Sequence, residues 1–408
     1  MLNVDFKKSS ASIIDIAKKR REDNEVFFKD HLKELIEEQN IAVNEITRDS
    51  LEDGNDYFEL IEREYKLVRF ADITFGKDKA DGEDDYVKIG GVCFYYCDFS
   101  MCGFNNISFI NCTFVGCNFN ECYTLGLTAS FTGCNFASRI PGKISIDDMP
   151  SMFTSCEFSA GFIGCDLSHT VLDRCNFYFS RFEGVNMYDA IFANCSIDTT
   201  RFVDCDLRNT KIVNPKFIEF YIEDLAKKTA VNRNTFLGPV NYNRKEKREI
   251  KYAADVYGMF AELFENGKIM DLSGEYFFLN KITELRLLSG YRKFKSILGL
   301  ITCGYGERPS LSLLTSLFLI LLCGTLYMFF GVNYNNELLV FHPFAGEMLP
   351  PFSKLILCYH FSLVTFSTVG YGNVTPIGGS LAVSAVEMIL GVIMVGIWVS
   401  TLVRKMVR

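Results

Sequence analysis

The chain contains 408 residues, and its 42 Lys and Arg against 50 Asp and Glu give a net charge of −8. This acidic excess argues against a nucleic-acid partner. With four His residues and no nucleophile or metal constellation, the sequence gives no support for an enzyme or a bound cofactor. The length predicts about two or three domains.

Residues 1–89 form an N-terminal region that is charged and partly helical. Its first 40 residues lack the apolar segment of a signal peptide, so we expect a cytoplasmic location. Stretches such as KDHLKELIEEQ, at residues 29–39, favour helices. The region either caps the domain that follows or mediates assembly, and the sequence leaves both open.

Residues 90–224 carry a repeat with a period of five residues. Large apolar residues occupy the centre of each repeat. One register contains Phe94, Phe99, Phe104, Phe109, Phe114 and Phe119, and after an irregular stretch come Phe131 and Phe136, then Phe153 and Phe158. A slip of one residue starts the longest run, which contains Phe162, Leu167, Leu172, Phe177, Phe182, Met187, Phe192, Ile197, Phe202, Leu207, Ile212, Phe217 and Ile222.

A small or apolar residue, often cysteine, lies two positions before each central residue. Eleven of the fifteen cysteines share this position: Cys97, Cys102, Cys112, Cys117, Cys122, Cys134, Cys156, Cys165, Cys175, Cys195 and Cys205. The spacing differs from that of paired zinc ligands, and a cytoplasmic location disfavours disulfides. We therefore expect the cysteines to be small core residues without a metal.

The five-residue period fits neither a helix nor an ordinary strand. It fits a four-sided coil with one pentapeptide on each side, in which stacked coils bury the central residues. The pattern resembles the pentapeptide-repeat family, which implies a right-handed quadrilateral β-helix. About six coils, ~4.8 Å apart, would extend over roughly 30 Å. The irregular segment Thr124–Ser151 is expected to be an inserted loop.

Residues 225–309 are predicted to form an α-helical linker. Apolar residues recur at helical spacing in Ala253–Phe264 and Tyr276–Leu288. Tyr291–Ile301 mixes basic and apolar residues, which indicates an interfacial helix along the inner membrane surface. This helix either transmits movement to the segment that follows or is a passive anchor.

Residues 310–408 contain two candidate membrane spans, 310–332 and 380–403. Each exceeds the about 20 residues that a helix needs to cross a bilayer. Between them, the pair Pro350-Pro351 signals the start of a helix, and the mostly apolar Phe352–Phe366 predicts a short re-entrant helix. Irregular backbone at membrane depth is tolerated only where it lines a cavity or is buried in protein.

The run Thr368-Val369-Gly370-Tyr371-Gly372 follows the short helix. Successive backbone carbonyls that point the same way can replace the hydration shell of an ion. This orientation requires left-handed backbone, which glycine adopts at little cost, hence Gly370 and Gly372. The Thr368 hydroxyl can supply one more oxygen ring, and Val369 and Tyr371 would pack against the surrounding wall.

The order of outer helix, pore helix, filter and inner helix resembles the two-transmembrane potassium-channel pore family. The resemblance covers about a quarter of the chain. It implies a potassium filter within residues 352–373 and a homotetramer in the lipid bilayer. Basic residues flank the two spans but are absent from the loop between them. The positive-inside rule therefore predicts an inner-membrane protein with both termini in the cytoplasm.

Two features depart from the family pattern. His360-Phe361 stands in place of the usual aromatic pair of the pore helix, and Asn373 replaces the aspartate after the filter. We expect a His360–Asn373 hydrogen bond to support the filter and to make it modestly sensitive to external acid. The alternative is that His360 only packs around the filter.

Three residues of the second span are gating or cavity candidates. Gly391 and Gly396 could act as hinges or could allow close helix packing. Glu387 resembles a glutamate of other bacterial two-transmembrane pores. It could line the cavity and attract cations, or it could bond to the pore helix from behind, which we favour.

The leading function is a potassium-selective channel with a cytoplasmic pentapeptide-repeat domain for regulation or assembly. A less selective cation channel is an alternative because of Asn373. A membrane-tethered pentapeptide-repeat binding protein is another, but it leaves the filter run without a purpose. No voltage-sensing helix, nucleotide loop or calcium loop is visible in the sequence, so the sequence does not identify the stimulus that opens the channel.

Overall fold

The computed structural model describes residues 13–22, 43–51, 57–78, 86–124, 129–137, 150–232, 234–236, 245–334, 337–340 and 352–407. The chain divides into two compact units, Met1–Ser273 and Gly274–Arg408. The first unit contains the five-residue repeat, and the second contains the apolar helices.

The first unit is a β-solenoid whose neighbouring strands are parallel. Its strands are β1 (Asn44–Thr47), β2 (Tyr57–Phe58), β3 (Glu64–Lys66), β4 (Val68–Ala71), β5 (Thr74–Gly76), β6 (Val87–Gly90), β7 (Cys93–Tyr95), β8 (Asp98–Ser100), β9 (Gly103–Asn105), β10 (Ile107–Ile110), β11 (Thr113–Val115), β12 (Asn118–Asn120), β13 (Tyr123–Thr124), β14 (Ala129–Thr132), β15 (Met152–Thr154), β16 (Glu157–Phe158), β17 (Ala160–Ile163), β18 (Val171–Asp173), β19 (Asn176–Tyr178), β20 (Arg181–Glu183), β21 (Ile191–Ala193), β22 (Ser196–Val203), β23 (Lys211–Val213) and β24 (Phe217–Glu223). A short 3-10 turn, Arg48–Ser50, follows β1.

The strand order defines four sides. Eight strands, β1-β4-β8-β12-β15-β18-β21-β23, form one side, so the solenoid has about eight turns. A 13-stranded sheet forms two more sides, which the long strand β22 joins. The fourth side begins with β3, β7 and β11 and continues as single bridges from Thr113 to Ala230. The structure thus confirms the predicted four-sided coil.

Stacked aromatic rings form the core of the solenoid. Phe70, Phe99, Phe119 and Phe153 occupy successive turns of one side, with ring centroids 5.0, 4.7 and 4.7 Å apart. These distances match the ~4.8 Å separation of neighbouring strands. Each buried ring therefore packs on its counterparts in the turns above and below.

Left-handed corner residues explain why the period is five. The residue two positions after most central residues has a positive φ, such as +53° at Met101, +55° at Glu121 and +55° at Asn194. A tight turn with such a residue directs the chain onto the next side of the coil and leaves the strand pairing on both sides intact. Glycine fills some corners, as at Gly116, but most carry a side chain.

The buried cysteines fill space in the core and also donate hydrogen bonds. The Cys122 thiol donates to the Phe99 carbonyl of the preceding turn at 3.3 Å, and the Cys205 thiol contacts the Phe182 carbonyl at the same distance. Burial raises the pKa of Cys205 to about 12, so the thiol stays protonated and able to donate. Ser151 makes the equivalent bond at 2.8 Å. The position therefore favours a small donor, which Cys, Ser and Thr all provide.

The coil extends beyond the segment in which the sequence placed it. Strands β1 to β5 precede residue 90, and Phe70 and Phe75 are fully buried among them. Within Thr124–Ser151, strand β14 pairs with β10 and β17, so that part continues the coil. Residues 125–128 and 138–149 of the expected loop lie outside the described residues.

A short helix, α1 (residues 13–22), packs on the outside of the eight-stranded side. Ile13 and Ala17 contact outward-facing apolar residues of its last strands, among them Val171 and Ile191. Arg20 forms an ion pair with Asp189. The N-terminal region, for which the sequence left capping or assembly open, therefore covers a side of the solenoid here.

Within the described part of the chain, six further helices follow the solenoid. They are α2 (Lys247–Asn266), α3 (Met270–Leu285), α4 (Gly290–Cys303), α5 (Pro309–Phe330), α6 (Phe352–Phe366) and α7 (Gly379–Val407). A 3-10 turn, Gly304–Gly306, joins α4 to α5. Strands β25 (Val332–Tyr334), β26 (Glu337–Leu339) and β27 (Val374–Pro376) form an antiparallel sheet.

Two of these helices are long and apolar enough to cross a membrane: Pro309–Phe330, and Gly379–Met406 within α7. They coincide with the predicted spans, and α6 has the predicted bounds. The first span ends earlier than expected, because Gly331 adopts a φ of +85° and Val332 begins a strand.

Candidate functional site

The short helix α6 lies against α5, and this contact fixes where the segment after α6 begins. Gly324 of α5 touches Tyr359 of α6, since a Cβ at Gly324 would lie 2.3 Å from the Tyr359 ring. Tyr327 packs edge-on against Phe361, with ring centroids 4.7 Å apart. Phe361, a predicted filter support, is thus part of the apolar core behind the segment.

The backbone after α6 alternates in handedness. φ is +58° at Thr368, +59° at Gly370 and +79° at Gly372, whereas Val369 and Tyr371 lie outside the left-handed region. The sequence predicted left-handed backbone at the two glycines. Thr368 adds a third such residue, and a β-branched side chain makes this conformation strained.

The start of this segment is anchored to the last turn of α6. The Thr368 amide donates to the Thr365 carbonyl at 3.1 Å, and the Val369 amide donates to the Val364 carbonyl at 3.0 Å. Farther along, the side chains of Val369 and Tyr371 are 56% and 67% exposed in the single chain. The segment therefore has a fixed start and presents its larger side chains outward.

His360 contacts the segment through its ring. It stacks on Tyr371, with ring centroids 6.1 Å apart and an angle of 8° between the planes. The expected His360–Asn373 hydrogen bond is not among the bonds that the structure gives for the described residues. The placement favours the alternative, in which His360 packs beside the segment.

A small sheet holds the segment at its other end. Asn373 leads directly into β27, which pairs with β25 from the end of α5. Val374 of β27 and Val332 of β25 are buried with Phe361 in the same core. This sheet was not predicted, because the apolar character of Val332 had placed that residue in the first span. Gly331, which ends α5, is the sequence signal that could have predicted the sheet.

Glu387 of α7 is fully buried and connects three helices. Its carboxyl accepts a hydrogen bond from the Tyr327 hydroxyl of α5 at 2.6 Å. It also contacts the Ser362 hydroxyl of α6. The favoured hypothesis of a bond to the pore helix from behind agrees with this geometry, and a cavity-lining position does not.

The two glycines of α7 lie in different surroundings. A Cβ at Gly391 would lie 2.0 Å from the carbonyl oxygen of Phe366, the last residue of α6. At Gly396 no atom lies within 4 Å of the corresponding position. Gly391 therefore allows close packing of α7 on α6, and the hinge roles of Gly391 and Gly396 stay predictions.

An ion-pair clamp, defined as Glu275, Glu307, Arg308 and Arg404, joins α3 to the ends of α5 and α7. Arg404 lies 3.0 Å from the Glu307 carboxylate. Arg308 donates to Glu275 at 2.9 Å and lies over the Phe278 ring, 4.8 Å from its centroid. The last turn of α7 is thereby tied to the start of α5.

Comparison with protein families identifies both parts of the chain. The ion-channel family profile matches residues 315–408, and the pentapeptide-repeat profile matches residues 160–198 with eight copies. The chain therefore carries an ion-channel domain at its C-terminus and pentapeptide repeats in its N-terminal region. No curated protein matches the chain.

Several solved structures are similar to part of the chain. HetL, a pentapeptide repeat protein involved in heterocyst differentiation regulation from the cyanobacterium Nostoc sp. strain PCC 7120, is 9% identical; the match covers 48% of this chain and 84% of HetL, with a TM-score of 0.21. Rfr23 from the cyanobacterium Cyanothece 51142 is 18% identical over 30% of this chain and 90% of Rfr23, with a TM-score of 0.12. QnrB1, a plasmid-mediated fluoroquinolone resistance protein, is 14% identical over 40% of this chain and 95% of QnrB1, with a TM-score of 0.17. The strand pairing within this chain, and not these similarities, defines the solenoid.

Proposed function

We propose that the protein is a potassium-selective channel whose filter is the run Thr368–Gly372. The alternating handedness of this backbone carries the proposal, because it lets successive carbonyl oxygens face one axis. Thr368 would add a ring of hydroxyl oxygens at the inner end. The segment needs no cofactor, since the protein oxygens themselves replace the water of the ion.

A homotetramer completes the proposed filter. One chain supplies only one strand of oxygens, and a cage around an ion requires several copies with cyclic symmetry. Val369 and Tyr371 are exposed in the single chain although they are large and apolar or aromatic. Burial of these side chains against neighbouring copies would fix the diameter of the pore.

The helix α4 supports the proposed orientation in an inner membrane. Tyr291, Phe294 and Leu298 are exposed at helical spacing, and basic residues lie between them. Such a helix suits the cytoplasmic face of a bilayer, where apolar residues enter the interface and basic residues meet lipid headgroups. Both termini and the pentapeptide-repeat domain would then be cytoplasmic.

Reversal potentials of the purified full-length protein in lipid vesicles test the proposal. In opposing potassium and sodium gradients, we expect a reversal potential close to that of potassium. Equal permeability to both ions would favour the less selective cation channel that Asn373 suggests. Absence of any cation current would favour a membrane-tethered binding protein.

Replacement of Gly370 by alanine should reduce potassium flux by at least about tenfold, since left-handed backbone costs an L-residue ~1–2 kcal/mol in each of the four chains. A Cβ at Gly370 meets no atom within 4 Å, so the effect would be conformational. Gly378→Ala is the matched control, because Gly378 has a φ of +53° and equally open surroundings outside the filter. Vesicle flux assays on both variants make the comparison. Equal flux through both would contradict the assigned role.

The ion-pair clamp is expected to influence opening through Arg404. Single reversals, Arg404→Glu or Glu307→Arg, should change the open probability, and the double reversal should restore it. The pair is partly exposed, so we expect a coupling of only about 1 kcal/mol. Single-channel recording measures it, with Lys405→Glu as a control of equal charge change. A double reversal that does not restore opening, or an equal effect of Lys405→Glu, would argue against the clamp.

A further inference from the structure

Glu387 lies where the three helices that carry the proposed filter meet. Its carboxyl reaches Tyr327 on α5 at 2.6 Å and Ser362 on α6, and its own backbone belongs to α7. The residue is 0% exposed. A single side chain thus connects the outer helix, the pore helix and the inner helix.

The groups around this carboxyl carry no positive charge. Tyr327, Ser362 and the Cys323 thiol face it, and all three are neutral. Between Arg308 and Arg404 the sequence contains no Arg and a single Lys, Lys354, which lies in the first turn of α6. Among the described residues, no ion pair includes Glu387. An unpaired carboxylate at membrane depth is costly, and such groups take up a proton instead.

The hydrogen bonds of Ser362 also favour a protonated Glu387 carboxyl. Its hydroxyl has one proton but two neighbouring acceptors, the Ile320 carbonyl at 2.8 Å and the Glu387 carboxyl. If Glu387 carries a proton, the carboxyl donates to Ser362, and Ser362 donates to Ile320. Every proton then has an acceptor, and the second carboxyl oxygen still accepts from Tyr327.

We propose that Glu387 is an uncharged positioning residue whose protonated carboxyl bonds α5, α6 and α7 together behind the filter. It acts through the pore helix and does not touch the conducted ion. This inference rests on the proposed channel function. It gives the carboxyl a task different from attracting cations into the cavity.

The test compares Glu387→Gln with Glu387→Leu in the full-length protein. The Gln amide can donate to Ser362 while its carbonyl accepts from Tyr327, so potassium flux and the potassium-to-sodium permeability ratio should stay within about twofold of wild type. Leu has a similar size but no hydrogen bonds. It leaves two buried hydroxyls without this partner, and the flux should fall by at least about tenfold. A merely space-filling role would make the two variants alike.

A second measurement does not depend on conduction. The infrared difference between wild type and Glu387→Gln should contain the C=O stretching band of a protonated carboxyl. A carboxylate band there would overturn the inference, as would loss of flux, altered selectivity or failed assembly of Glu387→Gln while the wild type conducts. Absence of potassium flux in the wild type would instead refute the proposed function.

Discussion

Gly391→Ala should lower potassium flux by at least about tenfold, because overpacking of a close contact typically costs ~1–3 kcal/mol in each chain. A Cβ at this position would lie 2.0 Å from the Phe366 carbonyl oxygen, a backbone atom that no side-chain rotation can move. Either α7 or the end of α6 must shift. Phe366 lies two residues before Thr368, so the shift would reach the start of the proposed filter. Vesicle flux of the purified variant measures the loss.

Gly396→Ala is the matched control for this experiment. It places the same methyl group in the same helix, where no atom lies within 4 Å in the single chain. Because alanine favours helix more than glycine does, the control should assemble and conduct. Wild-type flux through Gly391→Ala would show that the two helices accommodate the added methyl group, and it would contradict a required close contact at Gly391. Loss of flux in Gly396→Ala alone would assign the bending point to that residue.

Phe119→Ala should have the largest effect on the stability of the solenoid, about 3–5 kcal/mol. The Phe119 ring is 1% exposed and lies between Phe99 and Phe153, 4.7 Å from each. Its removal leaves a cavity that the stiff stack on either side cannot close. Labelling of the buried cysteines at increasing denaturant, in full-length protein, reports the opening of the coil. Thiols of the variant should react at a markedly lower denaturant concentration.

The control for Phe119 is the corner residue Phe179. It is the same residue type in the same solenoid, but its side chain is 61% exposed. Phe179→Ala should shift stability by no more than about 0.5 kcal/mol. Similar labelling curves for the two variants would mean that ring stacking does not stabilise the coil.

The central residues of the repeat could be predicted from the sequence because burial selects them directly. Phe, Leu and Ile recur wherever a side chain enters the core, and the four-sided coil follows from their spacing. The corners were harder to predict, since Met101 and Glu121 adopt left-handed backbone that their residue types do not favour. The hydrogen-bonded strands on both sides of each corner impose that conformation. The first turns were missed because Phe70 and Phe75 lack the preceding cysteines that mark the later repeats.

In the channel domain, the sequence predicted local features and missed those that depend on contacts between distant residues. The bounds of α6 and the glycines of the filter run follow from residues close in the chain. The pairing of β25 with β27 joins segments about forty residues apart, and no local pattern encodes it. The same is true of Glu387, whose bonding partners lie on two other helices. His360 was paired with Asn373 by analogy, whereas the ring of Tyr371 lies parallel to it.

The sheet β25-β26-β27 implies that the two ends of the proposed pore differ in how easily they change conformation. A movement of Val374–Pro376 relative to β25 must break backbone hydrogen bonds to β25 and expose a buried valine. By contrast, the last turn of α7 is tied by an ion pair that is partly open to solvent. In the proposed pore, conformational change would therefore meet less resistance at the C-terminal end of α7 than at the segment that the sheet holds.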